Sequence, residues 1–329
     1  MDTIVNFAVV GFGHIGKRHA EVISANKNCK LIAICDIDKN HSSESYGVSV
    51  FDDLEQMLQN CAEIDVVCIC SPSGLHAAQS LLALDYQKHI VCEKPMALRQ
   101  SDCEAMIFKA AQVGRHIFGV MQNRYAPISV WLKKMIHEKR LGDIFLVQTN
   151  CFWNRDDKYY KADNQQHSWH GDKKLDGGTL FTQFSHFVDM LFWLFGDVTN
   201  IQSRLFNFAH QHSIQFEDSG FVLFDFLSGG SGTLQYSTAV WDKNLESSIT
   251  IIGSKGSIKV AGQYMEKLEY CHVENYELEE IQTINIKNNH VFVIQNVVDV
   301  LNHKNVATTN AAEGMKVVEI IERIYQIRP

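Results

Sequence analysis

A lysine at the end of a predicted strand is the first residue of this sequence whose position suggests chemistry. Lys94 follows the apolar run 89–92 and Glu93, and Pro95 comes directly after it. Ligands of open α/β sheets bind beside the carboxyl ends of the strands, where this amine could reach a cofactor and a substrate together. A neutral lysine could serve as a base, and a cationic lysine could stabilise a developing alkoxide. The tripeptide therefore predicts chemistry at a hydroxyl group.

A glycine-rich turn earlier in the chain predicts what the cofactor is. Gly11, Gly13 and Gly16 match the pattern G-x-G-x-x-G between an apolar strand and a helix, whose N–H groups can bind a diphosphate. We expect contacts with the cofactor from Gly11, Phe12, Gly13, His14 and Ile15. Asp36 ends the next predicted strand, and a carboxylate there accepts hydrogen bonds from an adenosine ribose and repels a 2′-phosphate. NAD is therefore predicted rather than NADP, the alternative being a glycine-rich turn beside a solvated aspartate.

The elements that position these residues alternate in the first part of the chain. Apolar strands are predicted at 5–10, 31–35, 66–70, 89–93 and 116–120, and helices at 15–26, 53–58, 75–84 and 101–113. Short, continuously apolar strands separated by helices indicate a parallel sheet that is covered on both faces. We therefore predict an NAD-binding Rossmann domain over residues 1–121.

The remainder of the chain has a different order of elements. Helices are predicted at 128–138, 179–195, 291–301 and 311–325, strands at 142–152, 201–208, 219–226 and 232–241, a hairpin around 253–256 and a polar loop at 154–176. Strands in series without helices between them indicate an antiparallel or mixed sheet. The fold class is therefore α/β, with an α+β domain at 122–329 that carries a large open, mostly antiparallel sheet for substrate binding and oligomerisation. The last helix could pack back on the first domain.

Composition argues against several other classes of protein. The chain has 329 residues, and its net charge of −8 without a Lys/Arg block argues against a nucleic-acid partner. No apolar run reaches the roughly 18 residues of a membrane span, so we expect no membrane partner. The nine cysteines lack zinc-site spacing, and several lie in apolar strands, where free cysteine behaves as a small hydrophobe. We therefore expect no metal and a cytoplasmic location.

The motifs together resemble a known family. The glycine turn, Asp36, Ser71-Pro72 with His76, and Glu93-Lys94-Pro95 are similar to the Gfo/Idh/MocA family (glucose–fructose oxidoreductase and inositol dehydrogenase), over essentially the whole chain. The resemblance implies a Rossmann domain joined to a domain with a large open sheet. It also implies a dehydrogenase that moves a hydride from a sugar hydroxyl to nicotinamide C4. Because the family tends to cover the open sheet with another subunit, we expect a homodimer or homotetramer.

One position departs from the second signature of the family. After Gly177-Gly178 the family carries Asp-x-x-x-His-x-x-Asp, and here His186 and Asp189 match while Gln183 replaces the first aspartate. The charged Asp–His pair that handles the hydroxyl proton in many relatives therefore cannot form. Glutamine at this place resembles a narrower subgroup, the WlbA-like dehydrogenases. These oxidise UDP-N-acetyl-glucosaminuronic acid at C3 in the biosynthesis of surface-polysaccharide sugars.

The resemblance also implies a set of site residues. Lys94 and His186 would be catalytic, and which of them is the base stays open. Cofactor contacts beyond the glycine turn and Asp36 would come from Ser71, Pro72, His76, Glu93, Lys94, Gln122, Trp153 and Arg155, and substrate contacts from Lys94, Asn123, Arg124, Tyr160, Gln183 and His186. A continuous helix from residue 179 would place Gln183 and His186 on one face. As alternatives, Ser71 could cap the next helix, and His186 could be a satisfied core histidine.

Three functions remain open at this point. The first is an NAD-dependent dehydrogenase of a UDP-linked sugar acid, and some relatives reoxidise bound NADH with 2-oxoglutarate. The second is a dehydrogenase of a free polyol or sugar, of the inositol or glucose type, against which Gln183 argues. The third is a non-catalytic regulator that senses NAD(H), against which the intact Lys94 and His186 argue.

Overall fold

The computed structural model describes residues 3–38, 46–161, 169–278 and 289–327. The chain divides into two compact units, Met1–Gln122 with Asn288–Val318 and Asn123–Lys287 with Glu319–Pro329. It therefore returns to the first unit after residue 287, whereas the expected division gave each domain one continuous segment, 1–121 and 122–329. Residues 162–168 of the expected polar loop lie outside the described residues.

The first unit is built on a parallel sheet. Its elements are β1 (Val5–Val10), α1 (His14–Ala25), β2 (Cys29–Cys35), β3 (Ser49–Phe51), α2 (Leu54–Asn60), β4 (Val66–Ile69), α3 (His76–Asp85), β5 (His89–Cys92), α4 (Gln100–Val113) and β6 (Ile117–Gly119). The strands lie in the order β3-β2-β1-β4-β5-β6, and all neighbours are parallel. This confirms the doubly wound arrangement that the alternation predicted. Strand β3 was not predicted, because its three residues include none that is buried.

Burial on both faces explains the composition of the central strands. All four residues of β4 are buried, and in β1 every residue except Asn6 is buried. A parallel sheet covered by helices has no solvated face, so its strands lack alternating polar residues. Cys68 and Cys92 pack here as small hydrophobes, and all nine cysteines of the chain are free.

The second unit is built on a mixed sheet. Its elements are α5 (Pro127–His137), β7 (Ile144–Phe152), α6 (Asp157–Tyr160), α7 (Thr179–Thr182), α8 (Ser185–Phe195), β8 (Val198–Phe206), β9 (Ser219–Phe226), β10 (Ser231–Ser237), β11 (Glu246–Gly253), β12 (Gly256–Ala261) and β13 (Lys267–Val273). The strand order is β13-β12-β11-β7-β10-β9-β8, with β7 and β10 parallel and the other pairs antiparallel. The expected large, mostly antiparallel sheet is confirmed. Strand β13 was not predicted, because it has a single buried residue among seven and therefore lacks an apolar pattern.

The helix predicted at 179–195 is interrupted between α7 and α8. There the N–H of Phe184 bonds the carbonyl oxygen of Thr179, five residues back, whereas an α-helix bonds the residue four back. The helical repeat is therefore broken. The prediction that Gln183 and His186 share one face of a continuous helix was wrong, because the break falls between them.

The chain ends with two further helices, α9 (His290–Leu301) and α10 (Ala311–Gln326). Helix α9 packs on α1, where the side-chain amide of Asn26 donates to Oε1 of Gln295 at 3.0 Å. Helix α10 begins in the first unit and ends in the second. Within the described ranges, none of the helices has both the length and the apolar composition that crossing a lipid bilayer requires.

Candidate active site

The glycine turn of the first unit has the geometry that a dinucleotide site needs. Gly11 has φ +83°, and a Cβ there would lie 2.6 Å from the backbone nitrogen of Ser71. A Cβ at Gly16 would lie 1.9 Å from the carbonyl oxygen of Gly11, whereas one at Gly13 would meet no atom within 4 Å. Because Gly13 directly precedes α1, this open space lies at the N-terminus of a helix. The turn therefore fits a bound diphosphate.

Asp36 lies at the edge of this turn. Its carboxylate accepts hydrogen bonds from the backbone N–H groups of Phe12, at 2.5 Å, and Asp38, at 2.8 Å. The Phe12 side chain is fully buried, so only its backbone can face a ligand. His14 is exposed and Ile15 is partly buried at the start of α1. The structure therefore brings the carboxylate and the turn together.

His76 connects two loops of the first unit. Its buried ring lies with Nδ1 2.8 Å from the carbonyl oxygen of Pro95 and Nε2 2.8 Å from that of Ser71. Burial lowers the pKa of His76, although the two carbonyl oxygens oppose this effect. Both ring nitrogens face protein atoms, and the expected contact of His76 with a cofactor stays a prediction. The ring ties the loop after β4 to the cis peptide bond between Lys94 and Pro95.

Three further cofactor candidates of the first unit lie in loops. Ser71 donates its hydroxyl to Oε1 of Gln79 at 2.5 Å, and α3 begins without a side-chain cap. The alternative in which Ser71 caps that helix was therefore wrong. Pro72 is partly buried in the same loop, and Gln122 is buried at the start of a short 3-10 turn. Contacts of these residues with a cofactor stay predictions.

Glu93 belongs to a buried cluster with two histidines. Its Oε1 lies 2.8 Å from Nε2 of His19 and 3.4 Å from Nε2 of His290. Burial alone would raise the pKa of Glu93, but its hydrogen bonds with the two histidines outweigh burial and hold that pKa well below its ordinary value. Burial also lowers the pKa of His290, against the influence of Glu93. The carboxylate therefore faces the interior, and the expected contact of Glu93 with a cofactor stays a prediction.

The side chains of this cluster are of the types that ligate metal ions, and their ligating atoms all lie within 4.8 Å of one another. Tetrahedral ligands at about 2.1 Å from a metal ion would stand about 3.4 Å apart. The 2.8 Å between His19 and Glu93 is instead a hydrogen-bond length. Oε2 of Glu93 also accepts the backbone N–H of Lys94 at 3.2 Å. We therefore interpret the cluster as a hydrogen-bonded support for the residue that precedes the lysine.

Arg124 is bound to a carboxylate inside the second unit. Its Nη2 lies 2.6 Å from Oδ1 of Asp189 and its Nε lies 3.0 Å from Oδ2, and both side chains are almost fully buried. The guanidinium also lies 5.6 Å from the ring centroid of Trp193. This bidentate pair compensates the charge. The expected contact of Arg124 with the substrate stays a prediction, and the guanidinium that would make it is paired with Asp189 here.

Arg155 is held in a different way. Its guanidinium carbon lies 4.9 Å from the ring centroid of Trp153 and 5.2 Å from that of Tyr159. Its Nε donates to Oε1 of Gln183 at 2.8 Å, and its Nη1 donates to the carbonyl oxygen of Asn154 at 2.6 Å. The amide nitrogen of Gln183 in turn donates to the Tyr159 hydroxyl at 2.7 Å. We call Trp153, Arg155, Tyr159 and Gln183 the arginine cluster.

Two neighbouring interactions hold the arginine cluster in place. The indole N–H of Trp153 donates to Oγ of Ser247 at 2.7 Å. Nε2 of His210 lies 2.7 Å from the carbonyl oxygen of Arg155, and its Nδ1 lies 3.1 Å from Asp218. Burial would lower the pKa of His210, but Asp218 outweighs burial and raises it. Conversely, hydrogen bonds from His210 and backbone N–H groups overcome burial and hold the pKa of Asp218 at about 2.

His186, the candidate for proton transfer, is the second residue of α8 and is almost fully buried. It follows Gln183 of the arginine cluster by three positions. Imidazole can accept and return a proton near neutral pH, which suits the oxidation of a hydroxyl. The second unit therefore carries the candidate histidine three residues after one member of the arginine cluster, Gln183.

Two other substrate candidates are buried. The hydroxyl of Tyr160 lies 3.4 Å from Oγ1 of Thr238, and burial raises the pKa of this tyrosine. The side-chain amide of Asn123 donates to the carbonyl oxygen of Gln263 at 3.4 Å, and Asn123 is 1% exposed. Tyr160 therefore packs in the core, its neighbour Tyr159 is the tyrosine of the arginine cluster, and the expected contact of Tyr160 with the substrate stays a prediction. The substrate contact of Asn123 stays a prediction.

A buried carboxyl group anchors the start of α7. Oε1 of Glu217 accepts hydrogen bonds from the hydroxyls of Tyr325, at 2.6 Å, and Tyr236, at 3.1 Å. The Tyr325 hydroxyl also accepts the backbone N–H of Leu180 at 3.1 Å. Burial raises the pKa of Glu217 to about 7, although these hydroxyls oppose it. The start of the segment that carries Gln183 is thus tied to an acid that titrates near neutrality.

Sequence analysis missed the residues that hold the site candidates in place. His19 and His290 contact Glu93, and His210 contacts the backbone of Arg155 and the side chain of Asp218. His19 lies on the buried face of α1 and His290 opens the apolar helix α9. A polar residue on the apolar face of an amphipathic helix is a signal that could have indicated both. No local signal indicates that they meet Glu93, because the three positions are far apart in the chain.

Comparison with protein families gives two matches. The description "Oxidoreductase family, NAD-binding Rossmann fold" (GFO_IDH_MocA) applies to residues 5–120, and "GFO/IDH/MocA C-terminal domain" applies to residues 130–259. A characterised relative, the inositol 2-dehydrogenase of Rhizobium meliloti, is 26% identical over 284 residues, which are 83% of this chain and 80% of that protein.

Two solved structures are similar over nearly the whole chain. The WlbA dehydrogenase from Bordetella pertussis, in complex with NADH and UDP-GlcNAcA, is 30% identical with a TM-score of 0.92, covering 99% of this chain and 96% of that chain. The WlbA dehydrogenase from Chromobacterium violaceum, with the same two ligands, is 32% identical with a TM-score of 0.92, covering 99% of this chain and 94% of that chain.

Proposed function

The chain belongs to the Gfo/Idh/MocA family of NAD-binding oxidoreductases, and we propose on this premise that it oxidises C3 of UDP-N-acetyl-glucosaminuronic acid. One observation carries this proposal, the similarity over 99% of the chain to WlbA dehydrogenases solved with NADH and UDP-GlcNAcA. The product would be a 3-keto sugar that is still linked to UDP. Such a product suits the biosynthesis of surface-polysaccharide sugars.

NAD is the cofactor that the first unit favours over NADP. The open space at Gly13 before α1 supports binding of the diphosphate. The carboxylate of Asp36 at the edge of the same turn supports binding of the adenosine ribose and disfavours a 2′-phosphate. Bound NAD⁺ supplies the acceptor for the hydride that leaves the sugar carbon.

Oxidation of the hydroxyl also releases a proton, which the protein must accept. We assign this step to Lys94 and His186. One of them takes the proton, and the other holds the hydroxyl oxygen by donating a hydrogen bond. Because Gln183 is uncharged, no Asp–His pair exists at this position, so Lys94 carries more of the proton transfer here.

A second candidate function is the oxidation of a free polyol. The match to an inositol 2-dehydrogenase over 83% of the chain favours it. The two candidates differ in whether the substrate carries a diphosphate and a carboxylate. A panel of neutral polyols and UDP-sugars therefore separates them.

NADH absorbance with such a panel tests the proposed function. The purified protein is incubated with NAD⁺ and UDP-GlcNAcA, UDP-GlcNAc, myo-inositol or glucose, each with and without 2-oxoglutarate. We expect turnover with UDP-GlcNAcA, seen as NADH or, where bound NADH is reoxidised, as a product lacking two hydrogen atoms in mass spectrometry. A higher kcat/KM with inositol or glucose would contradict the proposal and favour the second candidate.

One face of the sheet in the second unit supports a homo-oligomer. Along β9 the side chains of Phe221 and Leu223 are 52% and 46% exposed. Strand pairing sets Leu223 opposite Thr233 of β10, and Thr233 opposite Gln148 of β7. An exposed patch of large apolar side chains is usually covered by another surface. We propose that a second copy of the chain covers it in a homodimer or homotetramer.

The mass of the protein in solution tests this assembly. Phe221→Lys with Leu223→Lys should lower the mass measured by light scattering, because lysines would be buried in the interface. Val306→Lys, at a 77% exposed apolar residue of the first unit, is the matched control and should keep the oligomer. An unchanged mass in the double variant would reject this face as the interface.

The nine free cysteines support a cytoplasmic location for the assembly.

A further inference from the structure

We propose that Arg155 is the receptor for the carboxylate of an acidic sugar, and that Gln183 keeps this receptor cationic. This role deepens the proposed function, on which it rests, by naming the part of the substrate that the second unit recognises. It replaces the contact with the cofactor that the sequence predicted for Arg155. All four residues of the arginine cluster belong to the second unit.

The hydrogen-bond acceptors of the Arg155 guanidinium in the described chain are all uncharged. They are Oε1 of Gln183, the carbonyl oxygen of Asn154 and, at 3.4 Å, Oδ1 of Asn244. No carboxylate within the described ranges forms an ion pair with Arg155. The positive charge of the guanidinium is therefore not compensated by an acidic side chain of the described chain and is available to a ligand.

The geometry also leaves donors for that ligand. Nε of Arg155 donates to Gln183 and Nη1 to the two asparagines, and none of these three hydrogen bonds uses Nη2. The neighbouring hydroxyl of Tyr159, which also interacts with Arg155, is uncharged as well. Arg155 is partly exposed. Its position between the rings of Trp153 and Tyr159 fixes the guanidinium plane, so little side-chain entropy is lost when an anion binds. The two N–H groups of Nη2 can therefore bind a carboxylate through charge-assisted hydrogen bonds.

A second arginine of the same unit shows what a compensated guanidinium looks like here. Arg124 also lies over a tryptophan, but Asp189 accepts its Nε and Nη2 groups, and its side chain has no exposed area. Arg155 has a glutamine where Arg124 has an aspartate, and it is accessible. The contrast separates a structural cation from one that is available for binding.

The side chain at position 183 decides the charge of the cluster. Oε1 of Gln183 lies 2.8 Å from Nε of Arg155, and its amide nitrogen lies 2.7 Å from the hydroxyl of Tyr159. A glutamate would have the same shape and would place a carboxylate oxygen at the same distance from Nε. The resulting ion pair would compensate Arg155 and remove its attraction for an anion. Gln183 thus acts as a specificity-determining residue without itself binding the carboxylate.

Position along the chain places the cation near the sugar ring. Gln183 precedes His186, which we assign to the reacting hydroxyl, by three residues. A cation held by Gln183 is therefore near the ring that is oxidised, and in a sugar acid the carboxylate is attached to that ring. In UDP-GlcNAcA the carboxylate on C5 and the diphosphate on C1 are both two ring bonds from C3, so the binding measurements described next separate the two anions.

The test uses pairs of ligands that differ only in the acid group. Binding of UDP-GlcNAcA and UDP-GlcNAc, and of free glucuronate and glucose, is measured by calorimetry in the presence of NADH. The wild type should bind the acidic member of a pair about 30-fold more tightly, which is typical for hydrogen bonds to a charged group. Gln183→Glu and Arg155→Met should each remove most of this preference. Gln183→Glu preserves shape, so it remains informative where Arg155→Met does not fold.

Lys158→Gln is the matched control, because it removes an exposed positive charge three residues from Arg155 and outside the cluster. It should keep the acid preference, and all variants should keep their affinity for NADH. Loss of NADH affinity in Arg155→Met with an unchanged acid preference would assign Arg155 to the cofactor and overturn the proposal. An equal loss of affinity for UDP alone would assign it to the diphosphate and would overturn it as well.

The outcomes for the two ligand pairs separate this proposal from the proposed function. An acid preference that is confined to the glucuronate–glucose pair, and lost in Gln183→Glu, would support the receptor and reject the UDP-linked substrate. Turnover of UDP-GlcNAcA without any acid preference would support the proposed function and overturn the receptor. Absence of an acid preference in both pairs, including absence of binding, would also overturn the receptor.

Discussion

Nε2 of His19 lies 2.8 Å from Oε1 of Glu93, in the interior of the first unit and directly before Lys94 in the chain. The other carboxylate oxygen accepts the backbone N–H of Lys94. The His19–Glu93 pair therefore fixes the backbone position of Lys94 directly after strand β5. A histidine that no motif includes thus determines where the most informative residue of the sequence stands.

Replacing Glu93 by glutamine should lower the free energy of unfolding by about 3 kcal/mol at neutral pH, because the buried pair of the Glu93 carboxylate and His19 would be broken. The pKa of Glu93 is depressed on folding, so its contribution is complete above the ordinary value of 4.5 and is lost as the pH falls below it. Urea unfolding should therefore show a steeper loss of stability below pH 4.5 in the wild type than in Glu93→Gln. Glu21→Gln, at an exposed position of α1, is the control. Parallel pH profiles of wild type and Glu93→Gln would contradict the assignment.

Asp36 should control the choice between NAD and NADP. Asp36→Ala should weaken NADH binding about 10-fold, because hydrogen bonds to a charged carboxylate are lost. Adding Ile37→Arg, at a residue that is 90% exposed, should favour NADPH because an arginine binds the 2′-phosphate. Fluorescence titration with both cofactors measures the ratio of dissociation constants, with Glu21→Ala as the control. A ratio that does not move in either variant would remove Asp36 from this role.

Lys94 and His186 should be required for turnover. Lys94→Ala and His186→Ala should each lower kcat by about 10²-fold or more, the usual contribution of a general acid or base. Lys158→Ala and His272→Ala, at exposed positions, are the controls and should keep the wild-type rate. The assay is NADH formation with the best substrate of the panel. A near-normal kcat in either alanine variant would reject the role of that residue.

Glu217 should make the protein less stable as the pH rises toward neutrality. Burial raises its pKa from 4.5 to about 7, so the folded chain holds a proton that the unfolded chain releases, and stability falls between these values. At about 1.36 kcal/mol per pKa unit, the loss is about 3 kcal/mol. Glu217→Gln stays neutral, so its stability relative to the wild type should increase by that amount between pH 4.5 and 7. A constant difference across this window would show that the carboxyl group does not titrate as described.

The parts of the fold that sequence analysis predicted are those with a local signal. Strands β1 and β9 were predicted at their observed bounds, because continuous apolar runs and regular alternation reflect how each face is buried. The glycine turn was predictable because part of its demand is local: Gly11 has a positive φ, and a Cβ at Gly16 would meet the carbonyl oxygen of Gly11. The interruption between α7 and α8 was not, because the sequence there stays strongly apolar.

The partners of several site candidates are distant in the chain and could not be predicted. Arg124 was expected at the substrate because arginine binds anions, and the structure pairs it with Asp189. The resemblance implied a cofactor contact for Glu93, and the structure places its carboxylate against two histidines. A side chain's type predicts which bonds it can form, and only the tertiary structure decides which partner forms them.

The return of residues 288–318 to the first unit has a consequence for the order of events on the ribosome. His290, which meets Glu93, and Gln295, which meets Asn26, are synthesised after the whole second unit. At roughly 5–20 residues per second, synthesis reaches these residues on the order of ten seconds or more after residue 122. During that time the face of α1 that α9 will cover is exposed. A nascent chain of this protein therefore depends on a segment in its last eighth to complete its first unit. An exchange of residues 1–122 between relatives would carry over an incomplete unit.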